Sequence, residues 1–193
     1  MKLKLIVLSM VLSAASTSAF ALDGGQVDFA GLVSDNTCAA HVNGGSQDGQ
    51  VQLNTADRKN VEADLGVQLG SVGVQPEPFY ITVDCGTSTT NTTAKLSMAS
   101  TFFSNSDGTL NNDDSISDPA SGVNLAIHQI GESAGALAYT QVKVNDVSDI
   151  HEADFIDGVA KFDFVVSYVR KSGAVPVTAG YVKSNTAYTL TYE

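Results

Sequence analysis

"TAYTLTYE", residues 186–193, sets Tyr188, Leu190 and Tyr192 on one side and Thr189 and Thr191 on the other. A period of two throws successive side chains to opposite faces of a strand, and aromatic and β-branched residues suit such a half-buried surface. The same period recurs upstream. "FYITVDC", residues 79–85, puts Phe79, Ile81, Val83 and Cys85 together, opposite Tyr80, Thr82 and Asp84. "AKFDFVVSYVR", residues 160–170, puts Phe162, Phe164, Val166 and Tyr168 on one face. Weaker strand candidates are residues 50–53, 95–98, 123–130 and 138–144. Turn-rich clusters lie between them: "NGGSQDG" (43–49), "GTSTTNTT" (86–93) and "SNSDGTLNNDD" (104–114). "TADRKNVEADLG" (55–66) reads equally as a helical turn, with Val61 and Leu65 four apart, or as a surface loop. Seven or so short strands in one domain predict an all-β, two-sheet sandwich of immunoglobulin type.

The chain opens MKLKLIVLSMVLSAASTSAFA. Lys2 and Lys4 form a positive n-region, Leu5 to Ala15 a short apolar run, and Ala19-Phe20-Ala21 a small-residue cleavage signal. The run is too short to span a bilayer, so residues 1–21 are read as a signal peptide and the protein as exported. Residues 22–193 remain, 172 in all, enough for one domain with its own core. Removing Lys2 and Lys4 takes the formal net charge from −11 to −13. So acidic a surface argues against nucleic acid or an anionic membrane as partner.

An even number of cysteines in an exported chain, here Cys38 and Cys85, suggests a disulfide. Closing the 46-residue loop between them would stabilise the fold by about 4 kcal/mol in the chain-entropy model. A metal or catalytic thiol is the alternative, but neither cysteine sits in a CxxC or beside a partnered histidine. His41, His128 and His151 are scattered outside any G-x-S-x-G or H-E-x-x-H context. His151 stands near Glu152 and Asp154, a spacing that supports a metal poorly and reads better as a solvated polar loop. "DGTLNNDDSISD" (107–118) is rich in oxygen ligands yet lacks the order of a calcium loop. "NTT" at Asn91 matches a glycosylation sequon, which says little in what reads as a bacterial secreted chain. No catalytic residue, metal or cofactor is expected, and an enzyme is not.

Both ends of the mature chain look built for pairing. The final strand pattern runs to Tyr192, with only Glu193 beyond. "GGQVDFAGLVSDNTC" (24–38) aligns Val27, Phe29 and Val33, with Gly31 on that same side where an apolar residue is expected. Termini ordinarily fray, and an exposed apolar edge invites another chain to pair with it.

In these features the sequence resembles the type 1-like fimbrial subunits (pilins) of the chaperone–usher pathway. The residues that carry the resemblance are the glycine pair, alternation and F-x-G before Cys38, and Cys85 at the end of an alternating strand. To these are added "FDFVVSYV" as the strand before the last, Gly180 fourteenth from the C-terminus, and Tyr192 in the penultimate place. The likeness spans the mature chain, though residues 100–160 match only in general style.

The resemblance implies an incomplete immunoglobulin-like sandwich that lacks its last strand. Residues 22–36 would be an N-terminal donor-strand extension and 37–193 the pilin domain. A groove beside the C-terminal strand, running from Gly180 to Tyr192 with Tyr188, Leu190 and Tyr192 as its key residues, would accept a strand from a periplasmic chaperone. At the outer-membrane usher, Val27, Phe29, Gly31 and Val33 of the next subunit would replace it, building an extracellular fimbrium that supports cell adhesion. Cys38–Cys85 would tie neighbouring strands near the start of the fold, and basic residues of the chaperone would grip the carboxylate of Glu193. The alternative is a minor adaptor or tip subunit that binds a host-surface ligand directly. An ordinary closed sandwich, with "VDFAGLV" as its first strand and Gly31 as a bulge, also fits the residues.

Overall fold

A computed structural model describes residues 38–173 and 175–193. The leader, the 22–36 extension and residue 37 lie outside the described residues, so the expectations for Val27, Phe29, Gly31 and Val33 fall beyond them.

The elements follow in the order β1 (Ala39–Val42), α1 (Arg58–Ala63), β2 (Val74–Asp84), β3 (Thr93–Ala99), β4 (Leu110–Asn111), β5 (Val123–Ser133), β6 (Ala136–Val142), β7 (His151–Ile156), β8 (Val159–Arg170) and β9 (Ala187–Tyr192). All strand pairs are antiparallel. The main path runs β1-β2-β8-β7-β3-β9, with β5 on β8 and β4 and β6 on β5. β7 curls the sheet over on itself: Phe155 and Ile156 pair with β8, and the preceding residues 151–154 pair with β3. Its hairpin to β8 turns on Asp157-Gly158, with φ of 52° and 85°, the left-handed pair that a two-residue turn matched to strand twist requires. The sandwich therefore has β1, β2, β8, β5, β4 and β6 in one layer and β3 and β9 in the other.

The inward faces are those the alternation marks. Ile81, Val83, Phe162, Phe164, Leu96 and Met98 are buried in one cluster, against which Tyr188, Leu190 and Tyr192 pack. β5 and β8 go further, for Val165, Ser167 and Val169 are buried as well as their neighbours, and so are all of residues 123–128. The outer face of these central strands is covered by the chain from α1 to β2. Asp64 accepts from the Arg170 amide, Gln68 O binds His128 Nε2 at 2.7 Å, Leu69 O accepts from the Gln141 amide, and Ser167 Oγ accepts from the Gly73 amide.

Three local expectations change. Residues 50–53 form no strand, although Val51 and Leu53 do pack on the core. Residues 55–66 resolve into α1, capped by the Asp57 side chain accepting from the Lys59 amide. His151 is not in a solvated loop: it opens β7 and is buried, its ring nitrogens held by Gln129 Oε1 at 2.6 Å and Asp149 Oδ2 at 3.1 Å. A polar pair within hydrogen-bond reach lets an imidazole enter a core at modest cost. Among the described residues no helix is long and apolar enough to cross a membrane.

Candidate functional site

Among the described residues, the two outermost strands of the path, β1 and β9, each pair on one side only. In an antiparallel pair, residues alternate between turning their N–H and C=O toward the partner and turning them away. Thr93 and Glu193 exchange both bonds, each at 3.0 Å. By alternation Tyr188, Leu190 and Tyr192 turn their main-chain groups to the other edge, where no described strand stands. On β1, Asn43 donates to Tyr80 O at 2.9 Å, so Ala40 and Val42 turn away from β2. Val42 is satisfied locally, its amide donating to Ser46 O and its carbonyl accepting from Gly45. Ala40 is left facing outward.

Between these two bare edges lies a groove of about 440 Å³, lined by Cys38, Ala39, Ala40 and Gln47 on one wall and Tyr188, Thr189, Leu190 and Tyr192 on the other. The side chains of Tyr188, Leu190 and Tyr192 are half-buried and pack against the core. Tyr192 meets Phe155 edge-to-face with ring centroids 6.3 Å apart. At the other end the Tyr188 hydroxyl reaches over and donates to Gln47 O at 2.7 Å, a single bridge between the two walls. Burial raises both phenols above the usual tyrosine pKa, so both remain neutral donors at physiological pH. The Cys38–Cys85 disulfide fixes β1 to the end of β2 and so holds the first wall in place.

The C-terminus is held by its own chain. The Thr92 and Thr93 amides donate to Glu193 O at 2.7 and 3.0 Å, and the Glu193 side chain pairs with Lys95, whose pKa this contact raises. A chaperone gripping that carboxylate would first have to displace these donors. Gly180 lies apart from the other three expected groove residues. β9 begins only at Ala187, and Gly180 packs against the segment 118–120. A Cβ there would come within 2.5 Å of Ala120 N and 2.6 Å of Asp118 O, at a φ of 155° that L-residues rarely adopt. Its requirement for glycine is steric and sits beside the Ala120 amide bond to Tyr181 O. Gln47 and Ala40 went unread in the sequence, since a loop carbonyl and a small strand residue carry no pattern of their own.

No family model and no curated protein matches the chain. Solved structures do. The P pilus rod subunit PapA superposes with a TM-score of 0.51 at 20% identity, over 80% of this chain and 99% of that one. A chain from a chaperone–usher pilus structure concerned with rod uncoiling gives 0.51 at 20% identity, over 89% and 97%. The described domain is thus a β-sandwich with the fold of chaperone–usher pilins, open between its first and last strands.

Proposed function

We propose that the chain is a structural subunit of an extracellular fimbrium, polymerising by donor-strand complementation and supporting cell adhesion. One observation carries this reading: among the described residues, the edges of β1 and β9 are unpaired and flank a groove lined by Ala40 on one side and Tyr188, Leu190 and Tyr192 on the other. A strand laid there meets the main-chain groups of Tyr188, Leu190 and Tyr192 on one side and of Ala40 on the other. Each hydrogen bond would contribute about 0.5–1.5 kcal/mol net. Val27, Phe29 and Val33 would contribute up to about 1.5–3 kcal/mol each if fully buried. Gly31 would pass where the groove is too shallow for a side chain. Strand addition of this kind is an established mode of recognition. In this reading the occupant is first a strand of a periplasmic chaperone and then, at the outer-membrane usher, residues 22–36 of the next copy.

The test is deletion of residues 22–34 with the signal peptide kept. The truncated chain should still accumulate with its chaperone and should form no SDS-resistant fibres. Long resistant fibres from it would end the donor assignment. Expression without any chaperone should leave the full chain degraded or aggregated, whereas a stable soluble monomer would indicate a self-sufficient domain and favour a ligand-binding module.

A further inference from the structure

We infer that the two poles of the domain form a head-to-tail contact between consecutive copies of this chain, with Ile156 and Val159 of one subunit against Phe102 and Val147 of the next. The inference rests on the polymerisation proposed above and adds the surface that would surround the exchanged strand.

One pole is where the described chain begins. Cys38 is bonded to Cys85, and the Cys85 amide donates to Gly158 O at 2.9 Å. The β7–β8 turn is thereby pinned beside the point from which residues 22–37 depart. On either side of that turn Ile156 and Val159 are paired in register and exposed, Ile156 to 73%. The opposite pole is where β9 begins. Ala99 and Met98 of β3 pair with Ala187 and Tyr188, and two turns project just beyond. They are locked together by Asn145, whose side chain accepts from the Ser100 amide at 2.9 Å and donates to Ser100 O at 2.9 Å and to Ser104 Oγ at 2.6 Å. These turns carry Phe102 and Val147, 82% and 92% exposed. Apolar side chains this bare on ordered turns mark contact sites when they cluster.

The length of chain outside the described residues brings the two poles together. Val33 and Cys38 stand five positions apart, a reach of at most about 18 Å. If Val27–Val33 lie in a neighbour's groove, the first pole of one subunit is held within that reach of the groove's mouth. In a row of identically oriented copies that mouth is at the Tyr188 end, next to Phe102 and Val147. A contact between different patches of identical subunits is heterologous and propagates without closing, as a fibre needs.

The experiment uses the full chain expressed with its chaperone and usher, with periplasmic accumulation as the folding control. Ile156→Lys and Phe102→Asp each replace an exposed side chain. Each is expected to leave accumulation unchanged and to speed denaturant-driven subunit release from fibres roughly tenfold, the scale of one central interface contact. Together they should restore release toward the unmodified rate, because the two positions meet only across subunits. If Phe102→Asp lowers accumulation, Val147→Asp takes its place. Release unchanged in the single variants, or losses that merely add in the double, would overturn the polar contact while leaving strand exchange standing. Absence of fibres from the unmodified chain would overturn both.

Discussion

Ala40→Pro separates the domain from the polymer. The Ala40 amide turns away from β2 into the groove, while the ladder bonds of β1 are carried by Ala39, His41 and Asn43. Proline is tolerated on an edge strand where the missing N–H is not a ladder donor. The substitution should therefore leave the folded subunit close to its original stability. A strand added in the groove, however, loses one acceptor's partner. At about 0.5–1.5 kcal/mol per net hydrogen bond, subunit release from fibres should rise roughly two- to tenfold. His41→Pro is the control, for it breaks a β1–β2 ladder bond and removes the His41 ring contact to Gly45 O, so it should lower subunit accumulation itself. Release is followed by gel mobility of fibres in graded denaturant, and accumulation by immunoblot of periplasmic extracts. If Ala40→Pro lowered accumulation as much as His41→Pro even with the chaperone in excess, the Ala40 edge would already be paired in the subunit, and the free-edge assignment would fail.

Gly180→Ala should destabilise the domain by about 1–3 kcal/mol through backbone overlap with residues 118–120, read as a lower midpoint of thermal unfolding; an unchanged midpoint would mean the segments separate at no cost. Tyr188→Phe removes only the hydroxyl bridge to Gln47, so fibre assembly should proceed at least as fast as before, and slower assembly would show that the bridge is part of the joint. His128 is buried and its pKa lowered below 6.5 by desolvation. The unfolded chain then binds more protons, so stability is full above pH 6.5 and declines as the pH falls below it. His128→Gln should flatten unfolding midpoints between pH 6.5 and 5, and an undiminished slope would assign the effect to other groups. Replacing both Cys38 and Cys85 by serine should cost about 2–5 kcal/mol and lower accumulation, as checked by immunoblot.

Most of the sandwich was legible because its strands bury one face. Residues 79–85, 160–170 and 186–193 announce themselves by alternation, and Tyr188, Leu190 and Tyr192 stand together in the structure as they do in the pattern. Residues 64–73 were opaque for the opposite reason. Their part is played by main-chain carbonyls and amides laid over β5, β6 and β8, which leaves no period to read. That hidden cover is also why β5 and β8 bury both faces where alternation promised one. Val51 and Leu53 misled because an apolar alternation records burial, and burial does not require a ladder. Gly180 was placed by its distance from the C-terminus, whereas its position follows from contacts with residues sixty places upstream.

The place of β8 in the chain has a consequence for the proposed export. It is the eighth of nine strands, yet it pairs with β2, β5 and β7. A chain threaded N-terminus first delivers β2 some seventy-five residues before its main partner. Until then Ile81 and Val83 have only the four-residue β1 to pair with, and β5–β6 forms as a local hairpin before β8 joins the two. Such non-local pairing folds slowly and leaves apolar strands exposed to misassociation. On the proposed export route the chain would thus be presented in an aggregation-prone order, and protection would be needed before the final strand has arrived.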